Sequence, residues 1–153
     1  MQEYGRILLP VPNKLAVIIL NWRIINMDFK DQPFIPMLFG GDINTYSVAR
    51  AFYEEYQVKT YVFGKFPSGP SYNSNIIEYH ADLKIDTDDV FMKTARDFAA
   101  AHADKTVLTI GCGDSYVALC SRHKDEMPEN VVAPYIDFEL MDRLQQKELF
   151  YRL

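Results

Sequence analysis

Cysteine is scarce in this chain: Cys112 and Cys120 are the only two in 153 residues. That is too few for the disulfide framework of a small secreted domain, and it fits a reducing compartment. They also lack the CxxC spacing of a redox pair. Histidine is nearly as rare, with His80, His102 and His123 scattered at no metal-ligand rhythm, so a zinc site is not expected. Basic residues are outnumbered by acidic ones. The formal charge of −5 and the absence of a basic cluster argue against a nucleic-acid or anionic-membrane surface. Long apolar runs are missing too. The run from Leu15 to Leu20 falls far short of the roughly 20 residues that span a bilayer, and Asn21, Trp22 and Arg23 follow where a signal peptide would carry small residues. Neither a P-loop nor G-x-G-x-x-G occurs.

What is present suffices for one core of ordinary size: 48% of the residues are hydrophobic, which implies a single soluble domain at this length. The central stretch is PFIPMLFGGDINTYSVARAFYEEY, from Pro33 to Tyr56. Phe34 to Phe39 reads as a strand buried on both faces, ended by Gly40 and Gly41. Pro36 cannot donate to a ladder, so it belongs at the strand's start or where the ladder is unpaired. Asp42 or Asn44 can cap the following helix, whose expected core face is Val48, Ala51, Phe52 and Tyr56. Helix amides left free beyond the glycines would favour an anion, although Asp42 would repel a phosphate; a tight turn with a capping aspartate explains the same residues.

The plan then repeats. Val58 to Phe63 predicts a second strand, and GKFPSGPSYNSN a surface loop too rich in turn-formers for helix or strand. Tyr79 to Ile85 predicts a third strand and Val90 to Ala101 a helix with core face Phe91, Ala95, Phe98 and Ala99. Thr106 to Ile110 predicts a fourth strand, ended by Gly111-Cys112-Gly113-Asp114. Tyr116, Leu119 and Cys120 mark the next helix, Val131 to Ala133 a minimal fifth strand, and Asp137 or Phe138 the start of a last helix. Alternation of this kind predicts an α/β fold, a Rossmann-like doubly wound parallel sheet of four or five strands. In the order 3-2-1-4-5, the two glycine turns would meet at the topological switch point, where such sheets bind ligands.

Three residues near that point invite a chemical reading. Cys112 at a helix amino end could be a nucleophile, but no histidine partner is identifiable and a small packing residue explains it better. Asp114 could hold a ligand hydroxyl or amine, or cap the helix it precedes; the cap is the simpler reading. Lys65 could neutralise a carboxylate or phosphate, or simply be solvated. The ten tyrosines read as boundary packing. Val107 to Gly113, a strand ending in Gly-Cys-Gly, resembles the cofactor loop of S-adenosylmethionine-dependent methyltransferases, but there the loop follows the first strand of the core rather than the fourth.

The order of motifs carries a more specific likeness. LFGGDINTYSVARAFYEEY, VFGKFPSGPSYNS, GDSYVALCSRHKDE and the closing DRLQQKELFYRL, taken together, resemble the amino-terminal (pre-ATP-grasp) domain of ATP-grasp carboxylate-amine ligases, the group that includes D-aspartate ligases. Gly111 is a departure from the residue usual there. The resemblance implies a substrate-side amino-terminal domain of an ATP-dependent, C–N bond-forming ligase, inactive alone. In the full-length family ATP and Mg2+ are bound by two later ATP-grasp domains, so no cofactor, metal site or catalytic residue is expected in this chain. It implies substrate-binding roles for Gly41, Asp42, Lys65, Ser68 and Asp114, with the ATP-grasp domains of the same polypeptide and a small carboxylate or amine substrate as partners, and a cytoplasmic location. The alternative is a stand-alone Rossmann-like ligand- or partner-binding module without catalysis.

Two expectations concern the ends. Residues 1–32 read as an amino-terminal extension, an added strand or a loosely docked arm, and residues 33–153 as the domain proper. If Trp22-Arg23 is encoded TGG-AGG, that sequence would act as a ribosome-binding site for initiation at Met27, making the first 26 residues non-native; the intact mass of protein made from its own promoter decides it. At the other end Leu144, Leu149 and Tyr151 or Phe150 lie on more than one side of a helix, which predicts fraying or weak homodimerisation through the tail.

Overall fold

A computed structural model describes residues 28–145, with the side chains of the last two left aside. Five strands form one parallel sheet: β1 (Phe34–Phe39), β2 (Thr60–Gly64), β3 (Ile77–Ala81), β4 (Thr106–Gly111) and β5 (Val131–Val132), in the order β3-β2-β1-β4-β5. The helices are α1 (Ile43–Tyr56), α2 (Gly69–Tyr72), α3 (Asp88–Ala101), α4 (Asp114–Arg122) and α5 (Phe138–Gln145), with a 3-10 turn at Lys124–Glu126. This is the doubly wound α/β arrangement.

Alternation along β1 divides the core into two layers. Ile35, Met37 and Phe39 face α3 and α4, where Phe91, Met92, Ala95, Leu119 and Cys120 close over them. Leu38 faces the other way, packing with Ala49 of α1 and Val62, Ile76 and Ile77. Pro36 lies inside the sheet and in register with Leu108 of β4, but the ladder to β2 starts one residue later, at Met37 opposite Tyr61. A proline is thus accommodated where β1 has a neighbour on one side only.

Three local expectations are corrected. The core face of α1 centres on Thr45 and Ala49, with Val48 and Phe52 flanking, while Ala51 and Tyr56 are exposed. Thr45 is drawn inward because its hydroxyl and amide both bind the capping carboxylate of Asp42, and Ala49 permits close approach to the sheet. The proline-rich stretch is not all loop, since Gly69–Tyr72 forms a single turn of helix with Pro70 in its first positions, where a missing amide costs nothing. The third strand runs earlier than expected. Ile76 and Ile77 enter the second core layer, whereas Asp82 stops the strand by accepting from the amide of Lys84, and Ile85 is buried from a turn.

Of the amino-terminal extension, residues 28–32 are described. Phe29 packs edge-on against Tyr53 at 5.8 Å, the Lys30 amide donates to Gln57 O at 2.8 Å, and Lys105 binds Asp31 and the carbonyl of Gln32. The earlier residues, with the Met27 start, lie outside the described part, and so does the tail on which fraying or dimerisation was expected. Among the described residues no helix is long and apolar enough to cross a membrane.

Candidate functional site

The carboxyl ends of β1 and β4 are adjacent, Phe39 standing opposite Gly111, and the Cys112 amide donates to Phe39 O at 2.8 Å. The two glycine turns therefore meet, as the strand order requires. Gly40 carries a φ of +145°, and a methyl group there would sit 2.3 Å from the Thr45 hydroxyl, so only glycine fits. The chain then reaches Asp42, which caps α1. Its carboxylate accepts from the Thr45 amide (3.0 Å), the Thr45 hydroxyl (3.1 Å) and the Asn44 side-chain amide (3.1 Å). Burial alone would raise its pKa, but these hydrogen bonds outweigh burial and hold it below the usual carboxylate value.

A crevice of about 300 Å³ opens beside this cap. Gly41, Asp42, Lys65 and Ser68 line it together, so four of the five residues singled out from sequence converge. Asp114 does not line it. Gly113, not Asp114, is the cap of α4, and Asp114 is the exposed first residue of that helix. Among the described residues its carboxylate makes no hydrogen bond, which corrects the capping assignment. The wall on that side is Tyr116 instead.

Sequence reasoning passed over Tyr79 and Tyr116. The Tyr79 hydroxyl donates to Phe66 O at 2.8 Å and crosses the ends of β1 and β2 so closely that a Cβ on Gly41 or Gly64 would lie 2.5 or 2.0 Å from it. Two glycines at neighbouring strand ends were the available signal that a ring passes over them. Burial raises the pKa of Tyr79 and pushes that of Tyr116 up to about 12, so both phenols stay protonated as donors at neutral pH.

The charge in the crevice comes from Lys65 and Asp42. Lys65 Nζ binds Asp86 Oδ2 at 2.6 Å, just before α3, and this bond holds the Asp86 carboxyl below its ordinary value. Ser68 precedes α2 without making a side-chain cap bond, leaving its hydroxyl exposed at the rim. Cys112 packs against the core layer of Leu38 and Ala49, and burial, the dominant influence, pushes its thiol up to about 11, away from the thiolate form. The set comprises one ammonium, phenol and hydroxyl donors, and a carboxylate occupied with its own helix. It is suited to binding a small polar molecule. Among the described residues no group of three or more His, Cys, Asp or Glu side chains is placed to hold a metal ion.

Compared with known proteins, the chain is 36% identical over 127 residues to a D-aspartate ligase of Enterococcus faecium (strain Aus0004). The chain is a relative of D-aspartate ligase. The match takes in 81% of this chain but only 30% of that ligase, so the chain spans less than a third of its relative's length. No protein-family model matches the chain, and no solved structure matches it significantly.

Proposed function

We propose that this chain is the substrate-side amino-terminal domain of an ATP-dependent carboxylate-amine ligase. The observation that carries the reading is the 36% identity with D-aspartate ligase along 127 residues. The crevice supports it, because its donors suit recognition of the carboxylate of a small substrate, the partner being a small carboxylate or amine in such a ligase. The acyl-phosphate chemistry of such a ligase would belong to ATP-grasp domains of the same polypeptide, and its dependence on ATP implies a cytoplasmic setting.

A chimera tests this directly. The matching stretch of the Enterococcus ligase is replaced by this chain, and ATP-dependent ligation of D-aspartate, the acid that relative is named for, is assayed. Ligation is expected to survive the exchange and to fall at least tenfold with Lys65→Ala. A folded, nucleotide-binding chimera that ligates nothing contradicts the proposal. Magnesium-dependent ATP turnover by the isolated chain does so too.

A further inference from the structure

Helix α1 carries more apolar surface than the sheet uses. Its inner face, Thr45 and Ala49, is fully buried, yet Val48, Ala51, Phe52 and Tyr56 repeat at helical spacing along its flank and stay half-buried or exposed, Tyr56 at 44%. At the foot of that flank Phe34 of β1 meets Phe52 at 6.3 Å and Tyr56 edge-on at 5.2 Å. Ser47, Val48, Ala51, Phe52, Glu55 and Tyr56 line a groove of about 470 Å³, with no lysine or arginine among its described lining. The apolar strip continues onto the sheet. Ile110 of β4 shares a core layer with Val48 and Phe52 but is only half-buried, and Val132 of β5, in register with Leu108 on the same side, is exposed. An apolar strip left open in this way marks a docking surface.

The chain itself supplies an occupant. Residues 28–32 already run along the carboxyl end of α1, with Phe29 on Tyr53, the Lys30 amide on Gln57 O and the Gln32 side-chain amide on Tyr56 O at 3.4 Å. Only residues 21–27 separate that stretch from the apolar run Leu15 to Leu20. Fully extended they span about 25 Å, against about 21 Å for the 14 residues of α1, so the run can reach any point of the groove. Charge agrees. Arg6, Lys14 and Arg23 stand against the single acid Glu3 in residues 1–26, whereas the rest of the chain is acidic in excess and Glu55 at the groove makes no ion pair among the described residues. So short a tether holds the run at an effective concentration on the order of mM, which favours it over a second copy of the chain in dilute solution. We infer that the run from Leu15 to Leu20 docks in this groove and closes the open flank of α1. The inference stands independently of any ligase role.

The full chain is tested by NMR and by the fluorescence of Trp22, its only tryptophan, two residues beyond the run. Ile18→Asp should shift the Val48 methyl signals and the Phe52 and Tyr56 ring signals, and leave those of Ile35 and Phe91, on the other side of the sheet, unchanged. Ala51→Asp, at an exposed helix position that does not threaten folding, should do the converse, moving the Ile18 and Ile19 signals and shifting Trp22 emission to the red. The same exchange at Ala100, exposed on α3, should do neither. All these shifts should be independent of protein concentration. Groove signals indifferent to Ile18→Asp overturn the inference, and so does a Trp22 emission that Ala51→Asp leaves where it was. Shifts that appear only as protein concentration rises overturn it too, since they assign the groove to a second copy.

Discussion

The turns after β1 and β4 are spelled alike, Gly40-Gly41-Asp42 and Gly111-Cys112-Gly113-Asp114, each with glycine, then aspartate, then helix. They fold differently. After β1 the aspartate is the cap itself, in extended backbone with φ −84° and ψ −170°, and its oxygens collect the first amides of α1. After β4 the extended residue is Gly113, with φ −161° and ψ 157°, so the cap has no side chain and Asp114 is carried one position into the helix. A shift of one residue moves a carboxylate from structural to unengaged. The difference arises upstream: Gly40 takes a left-handed φ that places Asp42 at the cap, and Cys112 does not.

The largest way to break the comparison is therefore at Gly40. Gly40→Ala must adopt an unfavourable φ and push the Thr45 side chain aside, and is expected to cost about 3 kcal/mol or more. At Gly113 a Cβ meets nothing nearer than Tyr116 Cδ2 at 4.0 Å, so Gly113→Ala should cost under about 1 kcal/mol, the deficit of alanine as a cap. Urea unfolding of both variants checks this. Equal losses would mean that the two turns are equivalent after all.

Next in size are the aspartates. Asp42→Ala removes three hydrogen bonds and should cost about 1–2 kcal/mol, whereas Asp114→Ala should cost less than about 0.5 kcal/mol, its interaction with the helix dipole alone. Asp42→Asn, which keeps a capping oxygen, should fall between them. If the two alanine variants lose the same amount, Asp114 must have a structural partner.

A smaller effect appears on acidification. The Asp42 carboxyl is held below its unfolded value, so the unfolded chain takes up its proton first as pH falls. The stability this group contributes is complete above the unfolded pKa of about 4 and is lost as pH drops through the folded value. Asp88 behaves likewise, lowered first by its bond to His123 and then by Arg122, although its exposure weakens the effect. Asp42→Asn should therefore flatten the loss of stability below about pH 4, which urea unfolding across that range checks.

Much of this was legible before any coordinates. Strand order follows from alternation and right-handed crossovers, which leave few topologies for five short apolar runs. The convergence of Gly41, Asp42, Lys65 and Ser68 follows from that order. What stayed hidden depended on single backbone angles or on packing across the sheet. Asp114 and Asp42 look identical until φ and ψ decide which residue is the cap. Composition concealed the helical turn at Gly69–Tyr72, because Ser, Gly and Pro signal loops in general and helix starts only in one arrangement. Tyr79 was invisible as a site residue because its reach over Gly41 and Gly64 depends on β3 lying beside β2 in one register.

The smallest expected effect is the most informative about function. Gly113 already has the extended backbone of a cap, and a serine Cβ there has room. Gly113→Ser can offer its oxygen to the Tyr116 amide three residues on, giving α4 what Asp42 gives α1, and it also restricts the unfolded chain. Stability should rise by about 0.5 kcal/mol. If it does, the bare amino end of α4 serves no structural purpose, and the reason for leaving it uncapped has to be sought in what approaches it beside Tyr116. Titration of the variant with D-aspartate then separates two causes. Unchanged affinity would mean that those amides are simply solvated, while affinity lost together with stability gained would mean that glycine is kept there so that a ligand can take the place of the cap.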